Sequence, residues 1–174
     1  MFIRIQNEHH PYFPEVWNLL QSAFHTGERR DLKTLKRTLA DEQMQLLVWE
    51  ENHEFLGMAV CWDFKKFHFL EYLAVHANAR GKGTGTTLMQ QLLTDQPLLL
   101  EVQPPTDAIN ESRIRFYERL GLCLNDYSYY QPPYQKRGET FPLRIMSSPQ
   151  LLTSEQFENY TTIVKQEVYE KWYL

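Results

Sequence analysis

Three glycines stand at alternate positions, Gly81, Gly83 and Gly85, in the stretch HANARGKGTGTTLMQQLL, with Arg80 and Lys82 among them. The whole chain has seven glycines, so this concentration is local. An apolar run, FLEYLAV, precedes it and a helical pattern follows. The N-terminus of a helix carries unpaired N–H groups and a partial positive charge, so it attracts anions. Glycine lets the backbone approach a ligand without a Cβ in the way. Alternate glycines can turn several N–H groups toward one point, which suits a diphosphate. A plain strand-to-helix turn needs a single glycine, so three of them with two cations point to a phosphate site. The spacing is not that of a P-loop, which needs GxxxxGK[ST]. Nor is it that of a dinucleotide fingerprint: the third glycine comes one place early, and the strand is the fourth in the chain.

The elements that must position this loop are legible around it. FIRIQ alternates like an edge strand, and PEVWNLLQSAF has helical spacing with Pro14 near its start. DLKTLKRTLA reads as a second helix, capped by Asp31, with Leu32, Leu35 and Leu39 on one face. MQLLVWEENHEFLGMAVCWDF is a hairpin about the polar ENHE turn, and FHFLEYLAVH is a third long strand. After the glycine loop, TTLMQQLLTD is a helix, PLLLEV a buried strand, and INESRIRFYERLG a helix stopped by Gly121. LCLNDYSYY and ETFPLRIMS read as two closing strands. TSEQFENYTTIVKQEVYEKWY is a long amphipathic helix opened by Thr153 or Ser154 with Glu155 and Gln156. This order excludes a regular βαβ alternation and predicts an α+β fold, a mixed sheet with helices on both faces.

Two motifs in this order resemble the GNAT family of acyl-CoA N-acyltransferases. The family's acyl-CoA loop follows a strand ending in Val; here that is Val75, then Arg80-Gly81-Lys82-Gly83-Thr84-Gly85. The second motif is a strand, an Asn, and a helix ending in an aromatic-Tyr-x-x-x-Gly pattern. Here it is LLLEVQPP, Asn110, and RFYERLGL with Tyr117 and Gly121. The resemblance covers roughly residues 1–147 and leaves the last helix, roughly 153–173, outside it. It implies a single acyl-CoA-binding domain over 1–174, with a central, mostly antiparallel sheet. The connection QPPTDAI is slightly longer than the family pattern and bears on the acceptor pocket and on Asn110.

The resemblance implies acetyl transfer from acetyl-CoA, as co-substrate, to a primary amine of a small molecule, peptide or protein. An alkyl amine with a pKa near 10.4 is mostly protonated at pH 7, a deficit of about 4.6 kcal/mol. A carboxylate acting directly or through water can take that proton. Family members place such a base on one of two strands, which directs attention to Glu71 and Glu101. Glu71 shares a strand face with Leu73 and Val75, where it is the charged member. Each glutamate is either the base or a structural residue, solvent-facing or paired with an arginine. The resemblance implies that Tyr117 protonates the departing thiolate. It gives Leu73 and Val75 a backbone role toward the acyl carbonyl and the pantetheine arm, and the phosphates to Arg80, Gly81, Lys82, Gly83, Thr84, Gly85 and Thr86. Asn110 either bonds the pantetheine arm or caps its helix.

Other residues carry less. No Cys/His set or HxxxH pattern is present, so no metal site is expected. Cys61 and Cys123 are far apart and read as free thiols in a reducing compartment. The start, MFIRIQNEHH, lacks the apolar stretch of a signal peptide, and no run approaches a membrane span. A cytoplasmic protein without a membrane partner is expected. A net charge of −4 speaks against broad nucleic-acid binding and mildly favours a cationic acceptor. Tyr127, Tyr129, Tyr130 and Tyr134 surround a Pro-Pro pair and either cover an acceptor site or pack on the core. The last helix either packs on the sheet or pairs two copies as a homodimer. A non-catalytic acyl-CoA sensor or interaction module is the alternative to an enzyme, because fold does not dictate function. Nucleotide binding by the glycine loop is a third reading.

Overall fold

The computed structural model describes residues 2–173. The chain divides into two compact units. The first runs to Phe64 and resumes over Leu70–Leu92; the second comprises Lys65–Phe69 and the chain from Leu93 onward.

In the first unit, β1 (Phe2–Ile5) pairs antiparallel with β2 (Met44–Glu51), and β2 pairs antiparallel with β3 (Glu54–Asp63). The hairpin turn between β2 and β3 holds Asn52 and His53 both at positive φ, 51° and 65°. That is the type I′ geometry that matches the twist of a two-residue hairpin. The register sets Leu46 opposite Val60 and Val48 opposite Met58, all four fully buried. β4 (His68–Val75) lies beside β3. The two approach closely at Gly57, where an added Cβ would sit 2.7 Å from the Ala74 carbonyl oxygen. Helices α1 (Phe13–Ala23), α2 (Leu32–Thr38) and α3 (Thr84–Leu92) complete the unit. α1 buries Phe13, Val16, Leu19 and Leu20 at helical spacing, and α3 buries Leu88, Met89 and Leu92. Asp31 caps α2 as expected, accepting a bond from the Thr34 N–H at 2.8 Å.

In the second unit, β5 (Leu98–Val102) pairs antiparallel with β8 (Phe141–Ser148). The single strand expected over LCLNDYSYY is instead two, β6 (Cys123–Leu124) and β7 (Tyr129–Gln131), both paired antiparallel with β8. Asn125 makes the break. Its buried amide donates to the Ile145 carbonyl and to Ser147 Oγ, and its Oδ1 accepts from the Leu152 N–H. These bonds tie the segment between β6 and β7 to β8 and to the chain ahead of the last helix. α4 (Ala108–Glu118) ends before Gly121, whose φ of +88° supplies the left-handed stop. The last helix begins at α5 (Ser154–Val164), with a reciprocal capping box between Thr153 and Gln156. It is not one regular helix: Lys165–Glu170 forms a π-helical turn before α6 (Lys171–Tyr173). Within each unit the architecture is the expected α+β type, and every strand pair assigned a register above is antiparallel. Among the described residues no helix is long and apolar enough to cross a membrane.

Candidate active site

The glycine loop leaves β4 at Val75, makes a 3₁₀ turn over Ala77–Ala79, and enters α3 at Thr84. Gly81 and Gly83 have φ of +74° and +79°, in the left-handed region that side-chain-bearing residues rarely adopt. A Cβ added at either would meet nothing within 4 Å. Within the chain, then, glycine is required there for backbone conformation rather than for room. Gly85 needs no left-handed φ; it lies in the first turn of α3. The Gly83 carbonyl accepts the Thr87 N–H at 3.0 Å, and Thr84 Oγ1 donates to the Ala79 carbonyl at 2.9 Å. These bonds tie the loop to the helix, while the N–H groups of Thr84, Gly85 and Thr86 open it and have no carbonyl one turn earlier within the helix. Lys82 is exposed, and Arg80 Nε reaches back to the Val75 carbonyl at 3.1 Å. The loop thus offers helix N–H groups and cations at one place.

Glu71, Leu73 and Val75 do share the less buried face of β4. The Glu71 side chain itself has no exposure. Its Oε1 accepts Arg30 Nε at 2.8 Å, and its Oε2 accepts Trp62 Nε1 at 2.7 Å. The Arg30 guanidinium, itself buried, lies 5.5 Å from the centre of the Trp62 ring. Arg and Trp side chains are donors only, so neither can accept a proton carried by Glu71. The same burial, together with the Glu71 charge, pushes the Cys61 thiol up to about 12, which leaves it a neutral core thiol.

In the second unit, α4 carries Asn110, Ile114 and Tyr117 at a spacing that sets them on one face. Asn110 is not the cap. Asp107 is: its Oδ1 accepts the Asn110 N–H at 2.9 Å, and its Oδ2 accepts the Asn110 side-chain amide at 2.6 Å. Tyr117 is half-buried with its ring edge-on to Phe116, and among the described residues none hydrogen-bonds its hydroxyl. Burial raises its pKa above 10.0, partly offset by the Arg113 charge, so the phenol keeps its proton at neutral pH.

Glu101 has a different environment from Glu71. Its Oε1 accepts the Tyr129 hydroxyl at 2.5 Å. Its Oε2 accepts Gln131 Nε2 at 2.5 Å and the Tyr169 hydroxyl at 2.7 Å. The alternation of β7 brings Tyr129 and Gln131 to one side, both buried, with Tyr130 exposed between them. Of the four tyrosines around the Pro-Pro pair, then, Tyr129 and Tyr134 pack inside, Tyr127 packs against Phe157, and Tyr130 faces out. Tyr169 comes from the π turn, and nothing in its helical spacing marked it beforehand. Arg30, in an irregular segment before α2, was equally silent. Burial, then the charge and hydrogen bond of Glu101, hold the Tyr129 hydroxyl well above 10.0. Glu101→Gln therefore lowers the pH at which Tyr129 ionises, because it removes the negative charge that opposes a phenolate. Ultraviolet titration of the variant against the parent reads this as one phenol moving to lower pH. An unchanged titration would mean that Glu101 does not face Tyr129.

Among the described residues no group of three or more His, Cys, Asp or Glu is placed to hold a metal ion. The model of the acetyltransferase (GNAT) family matches residues 3–122 and so enters both units. A GNAT-family protein from Bacteroides thetaiotaomicron superposes with a TM-score of 0.91 at 26% identity, covering 97% of this chain and 98% of that one. The Bacillus subtilis (strain 168) protein named "Putative acetyltransferase YjbC" is 41% identical over 73 residues. That match spans 40% of this chain and 36% of the relative's length. The yncA protein of Salmonella typhimurium, solved with its cofactor acetyl-CoA, shares the fold at a TM-score of 0.57 and 20% identity, over 88% of this chain and 96% of that one. With a family model matched over well more than half of its length, the chain belongs to the GNAT family of acetyltransferases.

Proposed function

We propose that this chain transfers the acetyl group of acetyl-CoA to a primary amine, of a small molecule, a peptide or a protein, by direct attack with base assistance. One acyl-CoA domain spanning 1–174 is part of this reading. The observation that carries it is the pair of left-handed glycines, Gly81 and Gly83, opening α3 in a chain of this family. In this reading the helix N–H groups of Thr84, Gly85 and Thr86, with Arg80 and Lys82, bind the CoA diphosphate. Leu73 and Val75 serve by backbone along the pantetheine arm and acyl carbonyl, and Asn110 lies along the same arm.

The acetyl thioester supplies an activated carbonyl carbon. The amine nitrogen bonds to it, the C–S bond breaks, the amine's proton goes to a carboxylate, and the thiolate takes a proton from Tyr117. Of the two candidate carboxylates we assign the base to Glu101. Both of the Glu71 partners named above are obligate donors. Glu101 Oε1, by contrast, faces the Tyr129 hydroxyl, which donates to a carboxylate and can turn over to accept from a carboxylic acid. The Glu101 surroundings therefore accommodate both protonation states that a base must visit.

The test is release of CoA thiol from acetyl-CoA in the presence of a panel of amines: linear diamines, aminoglycosides, and peptides with free N-termini or lysines. At least one should sustain turnover. Binding of acetyl-CoA with no turnover on any of them would favour a sensor module. Tyr117→Phe should lower kcat about 10²- to 10⁴-fold with acetyl-CoA affinity nearly intact, the size expected for loss of one positioned acid. A full-speed Tyr117→Phe enzyme would remove Tyr117 from the acid role.

A further inference from the structure

The π turn over Lys165–Glu170 needs a reason, because such turns are rare and occur mostly as single-turn bulges inside α-helices, frequently at functional sites. Bonding i→i+5 in place of i→i+4 brings residue 169 round to the side of Val164. Val164, Val168 and Tyr169 are accordingly all buried. The Tyr169 hydroxyl donates to Glu101 Oε2, accepts Gln131 Nε2 at 2.9 Å, and lies 3.4 Å from the Tyr134 hydroxyl. Tyr129 and Gln131 from β7 and Tyr169 from the π turn thus all face Glu101. Tyr134 stands behind Tyr169, Lys165 lies 5.1 Å from the centre of the Tyr129 ring, and Ile145 stands opposite on β8.

We propose that Tyr169, carried into place by the π turn, is a positioning residue for Glu101: with Gln131 it holds Oε2 as a permanent acceptor, so that the proton is taken up at Oε1, beside Tyr129. This rests on the reading of Glu101 as the base. When Glu101 is ionised, both oxygens accept. When it takes a proton, one oxygen becomes a hydroxyl and needs an acceptor, and the other stays a carbonyl. The Gln131 amide cannot accept through its nitrogen, so Oε2 stays the carbonyl in both states. Oε1 becomes the O–H and donates to the Tyr129 oxygen, whose own hydroxyl turns over. The last helix thereby fixes which lone pair faces the incoming proton.

The experiment is a double-mutant cycle in the full-length protein, reading CoA thiol release with the fastest amine of the panel above. Tyr169→Phe should lower kcat about tenfold, the worth of one hydrogen bond to a charged group, with the KM for acetyl-CoA unchanged. In a Glu101→Gln background the same change should cost nothing further, because Tyr169 acts through Glu101. Deleting exposed Gln166, which restores α-helical spacing, should match the Tyr169→Phe loss. Val168→Ala, a packing change beside Tyr169, should lower the melting temperature and leave kcat unchanged below it. Losses that multiply in the double mutant, or a Val168→Ala enzyme as slow as Tyr169→Phe, would overturn the positioning role while leaving Glu101 as the base. A full-speed Glu101→Gln single mutant would overturn the base reading and this inference with it.

Discussion

Glu101→Gln should lower kcat by about 10²- to 10⁴-fold, the range for removal of a positioned general base. Glutamine keeps the side chain's length and one acceptor oxygen, so Gln131 and Tyr169 can stay where they are. What is lost is the capacity to take a proton. The loss should therefore appear in kcat and in kcat/KM for the amine, with acetyl-CoA binding preserved. The pH profile sharpens the point. A base must be ionised to work, so turnover in the parent rises with pH through the ionisation of the base, and this lower limb should disappear in Glu101→Gln. A profile that keeps its lower limb in Glu101→Gln and loses it in Glu71→Gln would reverse the assignment. Stopped assays of CoA thiol release across pH measure both variants.

The second large effect is on stability and belongs to Glu71. Replacing either member of the Arg30–Glu71 pair should destabilise the fold by about 3–5 kcal/mol, because the partner is left as an uncompensated buried charge. The pair is fully buried on both sides, so solvent does not screen it. In a chain of this length that corresponds to a fall in melting temperature of roughly 10 °C. Replacing both at once with apolar residues of similar size, Arg30→Met with Glu71→Leu, should recover much of the loss, because two desolvated charges are costly even when paired. Below its melting temperature Glu71→Gln should turn over at close to the parent rate. The two glutamates thus have crossed phenotypes, one in kcat and one in melting temperature. If Glu71→Gln melts with the parent and fails in turnover, Glu71 belongs to the chemistry and Arg30 to its tuning.

Why these two carboxylates differ lies beyond the reach of local sequence. FLEYLAV and PLLLEV present the same pattern, a glutamate in an apolar strand, and alternation identifies the face but not the partner. Arg30 reaches Glu71 across 41 residues of sequence, and Tyr169 reaches Glu101 across 68. No periodicity links such positions. By contrast, what is encoded within a few residues was legible: the glycine loop ahead of α3, the Asp31 cap, the Thr153 capping box and the Gly121 stop all arise from backbone chemistry over one turn. The misreadings share one cause, a side chain competing with a regular pattern. Asp107, in a connection read as loop, takes the cap that Asn110 was a candidate for, and Asn125 breaks a strand that hydrophobic alternation would carry through. The π turn is invisible to a 3.6-residue period because it departs from that period, and so Tyr169 falls out of the apparent apolar stripe.

In the proposed reaction the left-handed glycines open a backbone site for the diphosphate of CoA. Calorimetric titration of the purified protein with acetyl-CoA, with ATP and NAD as controls, tests it most directly. Acetyl-CoA should bind saturably at micromolar concentration, and neither control should bind with comparable strength. That binding should be lost in Gly81→Val and Gly83→Val, whose side chains oppose the left-handed φ. Absence of acetyl-CoA binding, or equal binding of ATP or NAD, would contradict that role of the glycines.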